Sequence, residues 1–242
     1  MANQSKKVTT LFDRSDQVSS PISRFVFSFL RVIDPYLQYL LLFKGYGHQI
    51  LSKAGIVTVP VGPKGTVLVA MTAACAVKQI INIIYIMEVR MPYSGVILIS
   101  IYDTVFNSLA SLSSLIHSSS NQLGGLQYVG ISMFIIGIFT ELISELQRKK
   151  FKDNPVNQSK LYTAGLFSLA RHINYGGYTL WRTGLALTSG NYWLAALNFT
   201  WHMWDFTKRG VPELENYCSQ RYGEDWKKYE RDVPNILFLY VW

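Results

Sequence analysis

Two long apolar runs, Val67 to Met87 and Val96 to Ile116, limit what this chain can fold into more than anything else in its sequence. Each matches the ~20 residues that an α-helix needs to cross the hydrocarbon core of a bilayer. Backbone in lipid must satisfy its own hydrogen bonds, so such segments are helical rather than extended. Gly130 to Glu145 is a third run and leads into Gln147, Arg148, Lys149 and Lys150. Composition agrees with a membrane protein: 49% of the 242 residues are hydrophobic and only 16% are charged, unlike a soluble domain. The net charge of +8 comes from clusters beside apolar runs, as in membrane-flanking loops. No basic stripe lies on a polar domain, which argues against nucleic-acid binding.

Residues 1–20 read as a disordered cytosolic tail, too polar to offset their chain entropy, with no apolar signal-peptide core. Ile22 to Phe43 is apolar but holds Arg24, Arg31, Asp34 and Pro35. It either crosses the membrane with a kink at Pro35 or lies in the interface with its charges in water; the crossing is preferred. Lys44 to Gly65 reads as a loop with a short interfacial turn near Val57 to Val61. Lys78 and Asp103, the awkward residues of the two long runs, are expected to pair between neighbouring helices. Tyr175 to Leu187 and Tyr192 to Phe206 form a helical hairpin, and a helix opened by proline runs from Pro212 to Tyr222.

The expected fold is therefore all-α, a polytopic helical membrane protein of about six transmembrane helices. It divides into the tail, a transmembrane scaffold over 21–146 and a cofactor-binding half over 147–242. The loops at His117 to Tyr128 and Thr188 to Asn191 hold no Lys or Arg, whereas Gln147 to Arg171 and the segment from Lys208 hold many. The positive-inside bias then places the latter, and both termini, in the cytosol. Cys75 and Cys218 are too isolated for a disulfide or a zinc site, and no metal is expected.

The chemistry concentrates in Gly165 to Arg182, GLFSLARHINYGGYTLWR. Arg171, His172, Asn174 and Tyr175 interrupt an apolar segment, where polar groups are costly unless satisfied. An anionic ligand would satisfy them, because Arg offers a planar fork to phosphate while His, Asn and Tyr add directional bonds. Gly176 and Gly177 leave room for a ligand against the backbone. The loop QRKKFKDNP (Gln147 to Pro155) and the tail YCSQRYGEDWKKYERDVP (Tyr217 to Pro234) share this membrane face. Membrane topology alone also accounts for their cations.

In this order and spacing, the three segments resemble the C-terminal half of the integral-membrane sterol reductases and the lamin B receptor. Those proteins carry approximately QK-x-x-FR-x-NP, then RH-x-NY-x-GD, then C-x-x-KYG-x-x-W-x-x-Y-x-x-x-VP. The chain is also similar to the DUF1295 and steroid 5-alpha-reductase-like proteins. The resemblance spans Gln147 to Trp242. It implies an NADPH-dependent reductase of a carbon–carbon double bond in a sterol or other lipid drawn from the bilayer of the endoplasmic reticulum. It also implies a cofactor site formed by Lys150, Lys152, Asn157, Lys160, Arg171, His172, Asn174, Tyr175 and Glu215, closed by Tyr222, Trp226 and Tyr229.

Such a reduction needs a proton donor beside the hydride, for which Tyr175 and Tyr178 are candidates, with Glu141, Glu145 and Glu215 as further possible acids. Glu141 and Glu145 lie one turn apart; a solvated helix end with Glu145 paired to Lys149 is the plainer account of them. The chain departs from the reductase pattern at Tyr178, where relatives have Asp or Glu after the glycine. An aromatic residue there is similar to the isoprenylcysteine carboxyl methyltransferases, which implies S-adenosylmethionine instead of NADPH. A non-catalytic relative that kept the scaffold is the third reading.

Overall fold

The computed structural model describes residues 20–88, 91–116 and 122–238, so the expected N-terminal tail and part of the His117 to Tyr128 loop lie outside the described residues. Among those residues there are nine α-helices and no strand. Four segments are long and apolar enough to cross a membrane: α1 (Pro21–Phe43), α3 (Gly62–Ile81) with its π-helical extension Asn82–Ile86, α4 (Tyr93–Ile116) and α5 (Gly125–Lys152). The chain is an integral membrane protein. A short α2 (Tyr46–Lys53) follows α1, and α6 (Ile173–Thr188) and α7 (Tyr192–Asp205) form the expected hairpin. A second π-helical turn, Phe206–Gly210, carries α7 into α8 (Val211–Tyr222), and α9 (Glu224–Asp232) ends the helical part.

Helix α1 shows which of its two sequence readings holds. Its buried residues are Ser23, Phe27, Arg31, Asp34, Gln38 and Leu42, a mostly polar stripe. Phe25, Phe29, Val32 and Tyr36 on the other faces are more than half exposed. An apolar exterior around a polar interior face suits a helix in lipid, whereas an interfacial helix shows the reverse. The buried stripe is satisfied by neighbours. Arg31 pairs with Asp103 at 3.1 Å and donates to the Ser100 carbonyl at 3.0 Å. Asn107 and Gln38 donate to Asp34 at 2.6 and 2.9 Å, and Gln79 donates to Asp103 at 2.6 Å.

Arg182 of α6 completes this network by pairing with Asp103. The expected Lys78–Asp103 pair is therefore not formed. Asp103 faces α1 and α6 and is taken by two arginines, while Lys78 points to α5 and pairs with Glu141. Glu141 also accepts from Trp181 Nε1 at 2.6 Å.

Glycines set the closest helix contact. A Cβ on Gly137 would stand 2.6 Å from the Gly177 carbonyl oxygen, and one on Gly184 would stand 2.6 Å from that of Gly130. Two glycines on α5 thus face two on α6, the small-residue packing that lets membrane helices approach. Gly177 makes room for a helix, and Gly176 makes room for the tail, since a Cβ there would lie 2.2 Å from the Leu237 carbonyl oxygen. Neither glycine clears space for a ligand, contrary to the sequence expectation.

Two further boundaries differ from that expectation. The loop after α1 holds its helix at Tyr46–Lys53 rather than near Val57 to Val61, because Gly45 adopts φ 81° and turns the chain at once. Val61 instead packs into the cluster of Leu42, Leu51, Leu68 and Leu115. Helix α5 continues to Lys152, so its basic cluster sits in the last helical turns. Cations there oppose the negative end of the helix dipole.

Candidate functional site

The last turns of α5 present Glu145, Arg148, Lys149 and Lys152 on one face, at the spacing that brings helical residues side by side. They form one wall of a cavity of about 550 Å³, large enough for a cofactor-sized ligand. The segment leading into α6 supplies Arg171, His172 and Asn174; α8 supplies Tyr217, Arg221 and Tyr222; α9 supplies Trp226 and Tyr229. The α5–α6 connection adds Gln158, Leu161, Tyr162 and Phe167, and a further wall is Asn82, Ile86, Met87 and Glu88, at and just beyond the end of α3.

The tail after α9 is fastened to the segment that carries Arg171 and His172. Their amides donate to the carbonyls of Asn235 and Ile236 at 3.0 and 2.8 Å. Asn235 donates back to the Leu169 carbonyl at 3.1 Å, and the Tyr229 hydroxyl donates to the Phe167 carbonyl at 2.6 Å. The Arg171 guanidinium donates to the Val233 carbonyl at 2.9 Å and to Glu215 Oε1 at 2.9 Å. Its charge is thus compensated inside the chain.

His172 is 1% exposed, and its Nε2 lies 3.4 Å from Glu215 Oε1. Burial lowers its pKa, and the Glu215 carboxylate only partly opposes this. Neutral, with the Nε2 proton directed at Glu215, the ring leaves Nδ1 as an acceptor. Burial alone would raise the Glu215 pKa, but hydrogen bonds from His172 and Arg171 outweigh it and hold the carboxyl below its ordinary value.

Three buried polar atoms on cavity-lining residues have no partner among the described residues: Arg171 Nε, His172 Nδ1 and Trp226 Nε1. Buried polar atoms are rarely left unmatched, which marks this wall as a place for a ligand. It offers two donors and one acceptor. The cations opposite are already occupied. Arg148 pairs with Glu145, Lys149 with Glu88 at 3.0 Å and with Asp153, and Lys152 donates to the carbonyls of Asn157, Gln158 and Lys160. Asn174 Nδ2 donates to Glu145 Oε1 at 2.7 Å.

Of the residues nominated from sequence, Lys152, Arg171, His172, Asn174, Tyr222, Trp226 and Tyr229 come together on the lining. Glu215 stands behind Arg171 and His172. Lys150 is exposed, and Asn157 and Lys160 meet Lys152 through their carbonyls instead of lining the cavity. Tyr175 stacks on Phe206 with ring centroids 4.5 Å apart. Tyr178 packs against Trp181, His202 and Phe206 and accepts from Arg182 Nε at 3.2 Å. With Glu141 engaged by Lys78, neither it nor Tyr175 nor Tyr178 lines the cavity, whereas Glu145, a further candidate acid, does. Glu145 is buried and paired to Arg148 rather than to Lys149 in a solvated helix end.

Sequence reasoning missed Arg148 and the Asn82 wall as lining. The signal for Arg148 was its place one turn after Glu145. For Asn82 it was a polar interruption near the end of an apolar run.

A bundle of apolar helices that encloses a mixed-charge pocket at the ends of α3, α5 and α6 defines a helical membrane protein with a cavity of cofactor size. The chain belongs to the DUF1295 family, described as a protein of unknown function, whose model matches residues 79–233. Over an alignment of 257 positions it is 32% identical to a probable O-methyltransferase, ustE, of Ustilaginoidea virens, covering 95% of this chain and 88% of that protein. It is 30% identical to a probable protein-S-isoprenylcysteine O-methyltransferase of Oryza sativa subsp. indica, over 46% of this chain and 60% of that one. A third relative is the 7-dehydrocholesterol reductase of Danio rerio, 32% identical over 35% of this chain and 19% of the reductase.

Proposed function

We propose that this protein is a membrane enzyme that transfers a methyl group from S-adenosylmethionine to an oxygen of a lipid-like acceptor. The observation that carries this reading is the state of the pocket's charges. NADPH brings several phosphate charges and needs unengaged cations, but Arg148, Lys149 and Arg171 each already pair with a carboxylate and Lys152 is held by backbone carbonyls, which leaves Arg221, bonded to the Tyr217 hydroxyl, as the lining cation with neither kind of partner among the described residues. S-adenosylmethionine is a zwitterion with both donors and acceptors. It matches a wall with unpartnered Arg171 Nε, Trp226 Nε1 and His172 Nδ1. The relative aligned over nearly the whole chain also bears a methyltransferase name.

When bound, the cofactor supplies an electrophilic methyl group on a cationic sulfur. Arg171 and Trp226 would donate to its acceptors, and His172 Nδ1 would accept from one of its donors. The rings of Trp226 and Tyr229, packed with centroids 5.5 Å apart, give an electron-rich surface for a cation. Glu145, held by Asn174 and Arg148, is the more buried of the two lining carboxylates, Glu88 being the other, and would take the proton of a hydroxyl acceptor. A carboxylate acceptor would need none. Methyl transfer requires no proton donor, in keeping with the positions of Tyr175, Tyr178 and Glu141 away from the lining.

A second reading, NADPH-dependent reduction of a sterol or other lipid double bond, draws on the RH-x-NY segment with Asn174 on the lining and on the reductase match. Incubation of membranes holding the protein with methyl-tritiated S-adenosylmethionine separates the two. Tritium in the lipid extract, lost in His172→Ala, is expected. Consumption of NADPH with no tritium in lipid would favour the reductase.

A further inference from the structure

Among the described residues of the first half of the chain, Asn82, Ile86, Met87 and Glu88 line the pocket. Asn82 and Ile86 bound a π-helical turn, a wider backbone that recurs at functional sites. The turn is firmly placed. Met87 N donates to the Asn82 carbonyl at 2.8 Å, Arg24 of α1 donates to the Met87 carbonyl at 2.8 Å, and Ile83 is buried with Phe27, Met91 and Val96. Its two sides differ. Ile84 and Tyr85 are 57% and 58% exposed on the outer, lipid-facing surface of α3, while Ile86 and Met87 are half-buried and face the cavity. Asn82, deeper, makes no side-chain hydrogen bond among the described residues. Lys149 props the far edge, pairing with Glu88 at 3.0 Å and lying 5.6 Å from the Tyr85 ring.

The pocket therefore has two unlike walls. The Arg171, His172 and Trp226 wall carries unpartnered polar atoms, whereas the α3 wall offers apolar Ile86 and Met87 ending in one unengaged amide. On the methyl-transfer reading, which this inference rests on, we infer that the Asn82–Met87 wall is the acceptor subsite. It takes an amphiphile that arrives from the lipid side across Ile86 and Met87 and presents a hydroxyl or carboxyl group to the Asn82 amide. Met87 and Ile86 then determine which apolar bodies fit, and Asn82 positions the oxygen. Methyl transfer at this place breaks the sulfur–methyl bond and forms an oxygen–methyl bond. The sulfur keeps the electron pair, and any hydroxyl proton passes to the Glu145 carboxylate.

The probe is dodecanoate carrying a diazirine near its carboxyl end, photolysed on the full chain in lipid nanodiscs with and without excess unlabelled dodecanoate. The label that competes away is then mapped by mass spectrometry. It is expected on the segment 82–88. Filling the wall with Met87→Trp should reduce it about tenfold, while the outward Ile84→Ala retains it. Should Met87→Trp fail to fold, Ile86→Trp serves the same purpose. Competable label confined to other segments, or unchanged in the folded Trp variant, would overturn the subsite. S-adenosylmethionine affinity is measured on the same preparations by calorimetry. Label at 82–88 without cofactor binding would sink the methyl-transfer reading and leave an amphiphile site, whereas cofactor binding without label there would sink the subsite alone.

Discussion

Glu215 joins the cofactor wall to the tail, because one carboxylate oxygen serves both Arg171 and His172. Acid should loosen this junction in two stages. The pKa of His172 is lowered in the folded protein, so a penalty begins as pH falls below its unfolded value of 6.5 and grows until the folded value is reached. The Glu215 pKa is also lowered; its contribution is complete above the ordinary 4.5 and is lost as pH falls through the folded value. The amides of Arg171 and His172, which hold the tail, should lose hydrogen-exchange protection as pH falls below 6.5, after correction for the intrinsic rates. Glu215→Gln removes a charge-assisted bond worth about 1.5–3 kcal/mol and should expose the same amides at neutral pH. Protection unchanged in that variant would show that the tail is held without Glu215.

At the level of elements, the contact between α5 and α6 places Glu145 against Asn174, and it depends on glycine. Gly137→Ala would set a methyl group 2.4 Å from the Trp181 nitrogen and should destabilise the fold by roughly 1–3 kcal/mol. Gly125→Ala, with nothing within 4 Å, should leave thermal unfolding in detergent unchanged. Equal Tm values for the two variants would contradict the packing. The long helices were legible because apolar length is a local property of the chain, and the hairpin at Gly190 was legible for the same reason. Partner choice was not. Lys78 and Asp103 each needed an opposite charge, but which helix supplies it depends on how α3 and α4 are rotated against α1, α5 and α6. The glycines of α6 likewise showed that something approaches closely, without telling a ligand from a helix or a tail.

For the whole molecule, the pocket residues of the tail and of the Arg171 segment were legible through family resemblance, while the contribution of α3 was not. The π turn that turns Asn82 and Met87 toward the cavity is set by packing with α1, not by any motif. A topology with α6 and α7 as fifth and sixth crossings would put the α5–α6 connection and α8 on one side, in keeping with their shared cavity. Single cysteines at Ser159 and Ser219, both exposed, in a chain with Cys75 and Cys218 replaced by alanine, should react alike with an impermeant maleimide in sealed vesicles. Opposite reactivity would break this topology.

The central claim is that the pocket is built for a zwitterionic methyl donor and not for a polyphosphate. Calorimetric titration of the purified full chain in nanodiscs with S-adenosylmethionine and, separately, with NADPH tests it most directly. Saturable binding of S-adenosylmethionine, weakened about tenfold or more when Trp226→Phe removes one unpartnered donor, is expected, with no saturable heat from NADPH. Tight NADPH binding that Trp226→Phe weakens, with none for S-adenosylmethionine, would contradict it.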